Sequence, residues 1–246
     1  LHLPTVLGAV VPTFNLPGIE HLRFTAEALA GVFLGTITQW NDPAIAKENP
    51  DVKLPAAAIV PIHRSDGSGT TYVFTDYLTK VSPEWQKAAG RGTAVNWPVG
   101  LGGKGNEGVT GLVKQTPNAL GYVELVYAVQ NKLPYADVRN RAGAFVQANL
   151  ESVTAAAAAA AASMPADFRV SITDAAAPGA YPISSFTWLL IPTRIANVEK
   201  GTAIKQFLGW MLTEGQKLAP ALGYAPLPAG VITMEQQAIG TIQVGG

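Results

Sequence analysis

Runs of apolar residues alternate along the chain between a period of two and a period near three and a half, which predicts strands interleaved with helices. Residues 6–11 are almost wholly apolar and end at Pro12, the pattern of a buried strand. Residues 25–34 predict a short helix with Thr25 as N-cap and Leu29, Val32 and Phe33 on one face. Another helix starts in residues 41–46, where Pro43 suits a first turn. Residues 59–62 predict a strand, and residues 72–78 place Val73, Phe74, Tyr77 and Leu78 on one helical face.

Further along, residues 94–97 predict a strand broken by Pro98. Residues 109–115 predict a helix stopped before Pro117, and residues 121–125 another strand. The alanine run at 155–162 is helical on propensity alone. Residues 168–172 alternate like a strand, 175–180 form a small-residue linker, and 186–191 predict a buried strand. The last strong pattern is a helix over 200–214. Ile204, Phe207, Leu208, Met211 and Leu212 share its core face, and Gly215 stops it. Strands alternating with helices define an α/β protein.

Between the strand at 59–62 and the helix at 72–78 lies Arg64-Ser-Asp-Gly-Ser-Gly-Thr-Thr71. Arg64 offers a planar, permanently charged fork for two oxygens. Gly67 and Gly69 allow close backbone approach, and Ser68, Thr70 and Thr71 carry hydroxyls. A helix start adds free N–H groups and the positive dipole end. Two readings stay open on this local pattern. One is a compact oxyanion site; the other is a plain N-cap turn, since Ser, Thr, Asp and Gly are common there. No lysine follows Gly67 and Gly69 as a Walker loop needs, and Tyr72 stands where a dinucleotide fingerprint needs a third glycine.

Composition narrows the classes. The 246 residues are 48% hydrophobic and only 14% charged, and 17 basic side chains balance 17 acidic ones. Zero net charge excludes the basic excess of a nucleic-acid binder. No apolar run is long enough to span a bilayer as a helix. Without cysteine there are no disulfides, thiolate metal sites or thiol nucleophiles, and His2, His21 and His63 are too scattered for a zinc site, so no cofactor is expected. A second glycine cluster contains Gly103, Gly105 and Gly108 in G-x-G-x-x-G spacing. Its broken preceding strand and short helix favour a tight loop at a cleft rim over a dinucleotide site. His63, Asp66 and Ser68 have the residue types of a hydrolytic triad. They lie within six positions on one turn, however, and strand alternation turns His63 away from Arg64.

Several longer motifs occur together: residues 4–8 (PTVLG), 33–45 (FLGTITQWNDPAI), 64–70 (RSDGSGT), 97–106 (WPVGLGGKGN), 121–124 (GYVE), 181–183 (YPI) and 224–228 (YAPLP). In this order they resemble the periplasmic phosphate-binding protein of the bacterial phosphate ABC transporter, through nearly the whole chain. The resemblance implies a type II periplasmic binding fold, two α/β lobes joined by crossover strands that close on dehydrated phosphate. Residues 7–176 would form the second lobe, with residues 1–6 and 177–246 the remainder of an incomplete first lobe. The crossovers would lie at residues 6–11 and near Ala175. Arg64 would bind phosphate by charge, Ser68 and Thr70 through hydroxyls and Gly69 through its N–H, with Asp66 holding the arginine fork.

The resemblance further implies a periplasmic monomer that passes inorganic phosphate to a membrane permease, not an enzyme. A phosphate-ester hydrolase, or a phosphate-scavenging or adhesion protein on the same scaffold, are the alternatives. Family members begin with a segment that supplies a Thr-Phe pair, a serine and an aspartate accepting the phosphate proton, and no counterpart stands before Leu1. The contacts available here sum to about 5–7 kcal/mol before association entropy. Micromolar affinity needs about 8 kcal/mol net. The expectation is therefore a half-site with millimolar affinity.

Overall fold

The computed structural model of the chain describes residues 1–161 and 164–245. Its first element, β1 (His2–Phe14), is thirteen residues long and runs through Pro12, where the apolar pattern predicted an end. Proline removes only its N–H, and the Pro12 carbonyl still accepts from Ala136 N at 2.9 Å. The chain continues through β2 (Arg23–Phe24), α1 (Ala26–Leu34) and the single-turn α2 (Pro43–Ala46). β3 (Val60–Arg64) leads to α3 (Gly69–Val81) and α4 (Pro83–Ala88). After these come β4 (Leu101–Gly103), α5 (Gly105–Gln115), β5 (Ala119–Glu124) and α6 (Leu125–Gln130).

The short strands β6 (Asp137–Arg139) and β7 (Phe145–Val146) precede α7 (Leu150–Ala161). That helix is the predicted alanine run; its last member, Ala162, lies outside the described residues. β8 (Ser184–Leu190), β9 (Arg194–Ile195) and α8 (Val198–Trp210) follow, then a π-turn over Met211–Gly215 and α9 (Gln216–Leu218). A 3-10 turn, α10 (Ala229–Gly240) and β10 (Gln243–Val244) end the description. The helix starts obey local capping chemistry. The side chains of Thr25, Asp42 and Asn197 accept from Ala28 N, Ala44 N and Lys200 N, and Gly35 closes α1 at φ 76°.

The main sheet has the order β4-β3-β5-β1-β8. β3 runs parallel to both of its neighbours, while β1 is antiparallel to both of its own. β1 divides its pairing. Residues from His2 to Ala9 face β8, and residues from Val10 to Phe14 face β5. One strand thus joins two parts of the sheet, and its partner changes between Ala9 and Val10. Close to this point Tyr181 Oη donates to the Val10 carbonyl at 3.0 Å and Val10 N donates to the Ile183 carbonyl at 2.9 Å, so the chain recrosses there.

Aromatic packing fills the space behind β3 and β5. Phe74 of α3 stacks on Tyr122 of β5 with ring centroids 4.3 Å apart, and Phe33 meets Phe74 edge-on at 5.0 Å. Trp40 and Trp85 are fully buried. Gly103 makes the turn from β4 into α5 possible, because a Cβ there would lie 2.7 Å from Val109 N and 2.8 Å from the Gly108 carbonyl carbon. Gly103→Ala is expected to destabilise the fold by about 1–3 kcal/mol, the usual range for overpacking a rigid backbone contact. An unchanged urea midpoint would sink this expectation.

Several sequence expectations need correction. Residues 94–97 form no strand, and Trp97 instead uses its side chain, packing on Phe33, His63, Trp85 and Tyr122. Residues 168–172 keep their alternation of buried Phe168 and Ile172 with exposed Arg169 and Ser171, yet pair with no strand. Their hydroxyl neighbourhood serves a carboxylate instead. Asp76, 1% exposed, accepts from Ser171 Oγ and Thr173 Oγ1 at 2.6 Å each and from Arg91 Nη1 at 3.0 Å. These bonds tie α3 to the returning chain. β8 is buried only in its first half, and Leu190 is exposed. Phe207, predicted to face the core, is 52% exposed and touches exposed Trp210 at 5.8 Å between ring centroids. An i, i+3, i+4 pattern defines a wide stripe, and α8 turns only the Leu208 side of it inward.

Candidate anion-binding site

β3 delivers Arg64 to the start of α3, the strand–turn–helix context expected for an anion site. Ser68 is the N-cap: its Oγ accepts from Thr71 N at 3.1 Å, and its backbone carbonyl accepts from Tyr72 N. Both readings of the motif therefore meet in one residue. The cap uses a lone pair of Ser68 Oγ and leaves its hydroxyl proton without an acceptor among the described residues. The N–H groups of Gly69 and Thr70, in the first turn, likewise have no acceptor there. Nothing lies within 4 Å of a Cβ built on Gly67 or Gly69, so no protein atom fills the space before them.

Arg64 is held by a bidentate pair. Its Nε and Nη2 donate to Asp66 Oδ1 and Oδ2, each at 2.8 Å. The guanidinium side chain is only 9% exposed. Its hydrogen bond to Asp66 raises the Arg64 pKa, and the same bond holds the Asp66 carboxyl far below the usual carboxylate range. Gly105 N adds a further bond to Asp66 Oδ1 at 3.2 Å. The remaining guanidinium N–H groups stay available to a ligand. Arg64, Ser68, Gly69, Thr70, Glu124 and Trp188 line one open cavity of about 880 Å³. Burial pushes the Glu124 carboxyl up.

The structure sorts the other sequence candidates. Thr71 is fully buried, with its Oγ1 2.7 Å from Tyr122 Oη, so its hydroxyl belongs to the core and not to the cavity. Tyr122 Oη also accepts from Arg64 N at 3.2 Å. Burial pushes this phenol up to about 12, which keeps it a neutral hydrogen-bonding group. His63 stacks on Trp97 at 4.8 Å and 9°, and its Nδ1 lies 3.0 Å from the Arg64 carbonyl. Asp66 is committed to Arg64 and Ser68 to a cap, so His63, Asp66 and Ser68 do not form a hydrolytic relay.

The second glycine cluster has a role its spacing did not reveal. The strand before it is β4 and not residues 94–97, and α5 already begins at Gly105. The cluster is thus a strand, turn and helix instead of a rim loop. Gly105 takes φ 72°, and a Cβ there would meet the Glu107 carboxylate at 2.6 Å, so the turn requires glycine. From this turn Gly105 reaches Asp66 and Asn106 reaches Thr70, the two flanks of the Arg64 loop. Among the described residues no group of three His, Cys, Asp or Glu side chains could hold a metal ion.

A mixed α/β sheet whose strand β1 changes partner beside an open cavity is the frame of a periplasmic binding fold. The PBP superfamily domain matches residues 1–214. The phosphate-binding protein PstS of Xylella fastidiosa (strain Temecula1) is 47% identical over 231 residues, 93% of this chain and 64% of that protein. PstS of Pasteurella multocida is 44% identical, over 94% of this chain and 68% of its own length. Among solved structures, the periplasmic phosphate-binding protein PfluDING, bound with phosphate, superposes with a TM-score of 0.74 at 22% identity. That match covers 96% of this chain and 70% of the other. The chain belongs to the PBP superfamily and, within it, to the PstS phosphate-binding proteins. It spans about two thirds of the length of these relatives. No helix among the described residues is long and apolar enough to cross a membrane.

Proposed function

We propose that Arg64, Ser68, Gly69 and Thr70 bind inorganic phosphate, with Asp66 fixing the arginine fork. The protein captures phosphate in the periplasm as a monomer and delivers it to the membrane permease of an ABC transporter, without turning it over. Residues 7–176 make the lobe that carries this half of the site. Residues 1–6 and 177–246 contribute to the other lobe, and the hinge lies where β1 changes partner. The observation that carries this reading is the set of unused donors around Arg64. They are the Ser68 hydroxyl, the Gly69 and Thr70 N–H groups and the free edge of the guanidinium, all bordering one cavity. A helix cap alone has no need of a buried guanidinium clamped by a carboxylate. The names and bound ligand of the relatives point the same way.

Equilibrium dialysis of the chain against labelled phosphate, with and without excess sulfate, tests the reading. Saturable binding near millimolar is expected, since the donors described sum to about 5–7 kcal/mol before the entropic cost of association. Tighter, sulfate-resistant binding would also support capture and would place a proton-accepting group within this chain. No saturation up to tens of millimolar would reduce the Arg64 loop to a helix cap.

A further inference from the structure

Thr70 owes its direction to a residue 36 positions away. Asn106, the second residue of α5, donates from Nδ2 to Thr70 Oγ1 at 3.3 Å. Its Oδ1 accepts from Glu124 N at 3.4 Å. The orientation of this amide follows from chemistry, because a backbone N–H can only donate. The oxygen of Asn106 must therefore face Glu124 and its NH₂ must face Thr70. Thr70 Oγ1 then receives a hydrogen bond, and its own proton has no acceptor among the described residues. The proton is left to the cavity that Thr70 lines.

We propose that Asn106 is a positioning residue for the anion. It takes a lone pair of the Thr70 hydroxyl, so that this group meets a ligand oxygen as a donor. Hydrogen bonds aligned from Glu124 N–H through the Asn106 amide to the Thr70 hydroxyl polarise one another in the same sense. The chain of donors favours an acceptor oxygen at its end, and so an oxyanion. The same turn sends Gly105 N–H to Asp66 Oδ1 at 3.2 Å, bracketing the Arg64 loop from both flanks. The proposal rests on the phosphate reading of that loop.

The test is a double-mutant cycle on the chain, read by labelled-phosphate dialysis. Asn106→Ala is expected to weaken phosphate binding about three- to tenfold, the range for losing the alignment of one hydrogen bond. Thr70→Ala should weaken it to a similar extent. If Asn106 acts through the Thr70 hydroxyl, adding Asn106→Ala to Thr70→Ala has no further effect. Asn106→Asp should be worse than Asn106→Ala, because its carboxylate accepts the Thr70 proton and repels the anion. Thr70→Ser, which keeps the hydroxyl, should retain binding and sensitivity to Asn106→Ala. Strictly multiplicative losses in the cycle, or wild-type affinity in Asn106→Ala, would overturn the proposal. Near-ultraviolet circular dichroism confirms that each variant is folded. If the wild-type chain itself fails to bind phosphate, the parent reading has failed, an outcome separate from a null result in the variants.

Discussion

Arg64→Ala is expected to weaken phosphate binding by roughly 10- to 150-fold, corresponding to the 1.5–3 kcal/mol typical of hydrogen bonds from a charged group. Two effects act together. The variant loses the only guanidinium of the loop, and it strips Asp66 of the pair that neutralises it. An unpaired carboxylate on the same loop then repels the ligand the arginine would have drawn in. Arg64→Lys separates charge from geometry: a lysine ammonium cannot hold both Asp66 oxygens in the fork and present a flat edge to a ligand. Its affinity should fall between those of wild type and alanine. Calorimetric titration with phosphate reads both variants, and an Arg64→Ala affinity within threefold of wild type would assign the loop to capping alone.

The largest effect on stability is expected from pH acting on Glu235. This side chain of α10 is fully buried, and neither carboxylate oxygen has a hydrogen-bond partner among the described residues. Burial raises its pKa from 4.5 to about 8. The folded state then holds the proton more tightly than the unfolded chain does. The stabilisation is complete below pH 4.5 and is lost progressively as pH rises towards 8. Glu235→Gln removes this slope. Its stability relative to wild type should gain roughly 3–5 kcal/mol between pH 4.5 and pH 8.5, at 1.36 kcal/mol for each unit of pKa shift. Urea denaturation of both proteins across that range reads the difference. Parallel curves would show that Glu235 finds a partner or water in solution.

The Arg64 loop was the most legible part of the molecule. Arg64, Asp66, Ser68, Gly69 and Thr70 are consecutive or nearly so, and their chemistry follows from short-range geometry: a strand end, a cap and a helix start. Strand alternation separates His63 from Arg64: the His63 ring stacks on Trp97, and Arg64, not His63, is among the residues lining the cavity. Thr71 was harder, because its position one residue along the helix turns the hydroxyl from cavity to core. Asn106 and Tyr122 had no local signal. Glycine spacing marked the turn at Gly105 but did not show that it reaches Asp66, a contact made across 39 positions.

Local sequence determined the alternation of strands and helices, the caps at Thr25, Asp42, Ser68 and Asn197, and the donor set of the Arg64 loop. Each depends on contacts within a few residues, where backbone sterics and capping leave few choices. Tertiary structure alone decided that β1 would serve two sheet halves. It also decided that residues 168–172 would support Asp76 through hydroxyls instead of pairing as a strand, and that Phe207 would face outward. Periodicity records which side of an element is apolar, but it carries no information about which distant segment arrives to cover that side. That outcome depends on how the whole chain closes, and here closure brings β5 and α5 under the loop that presents Arg64.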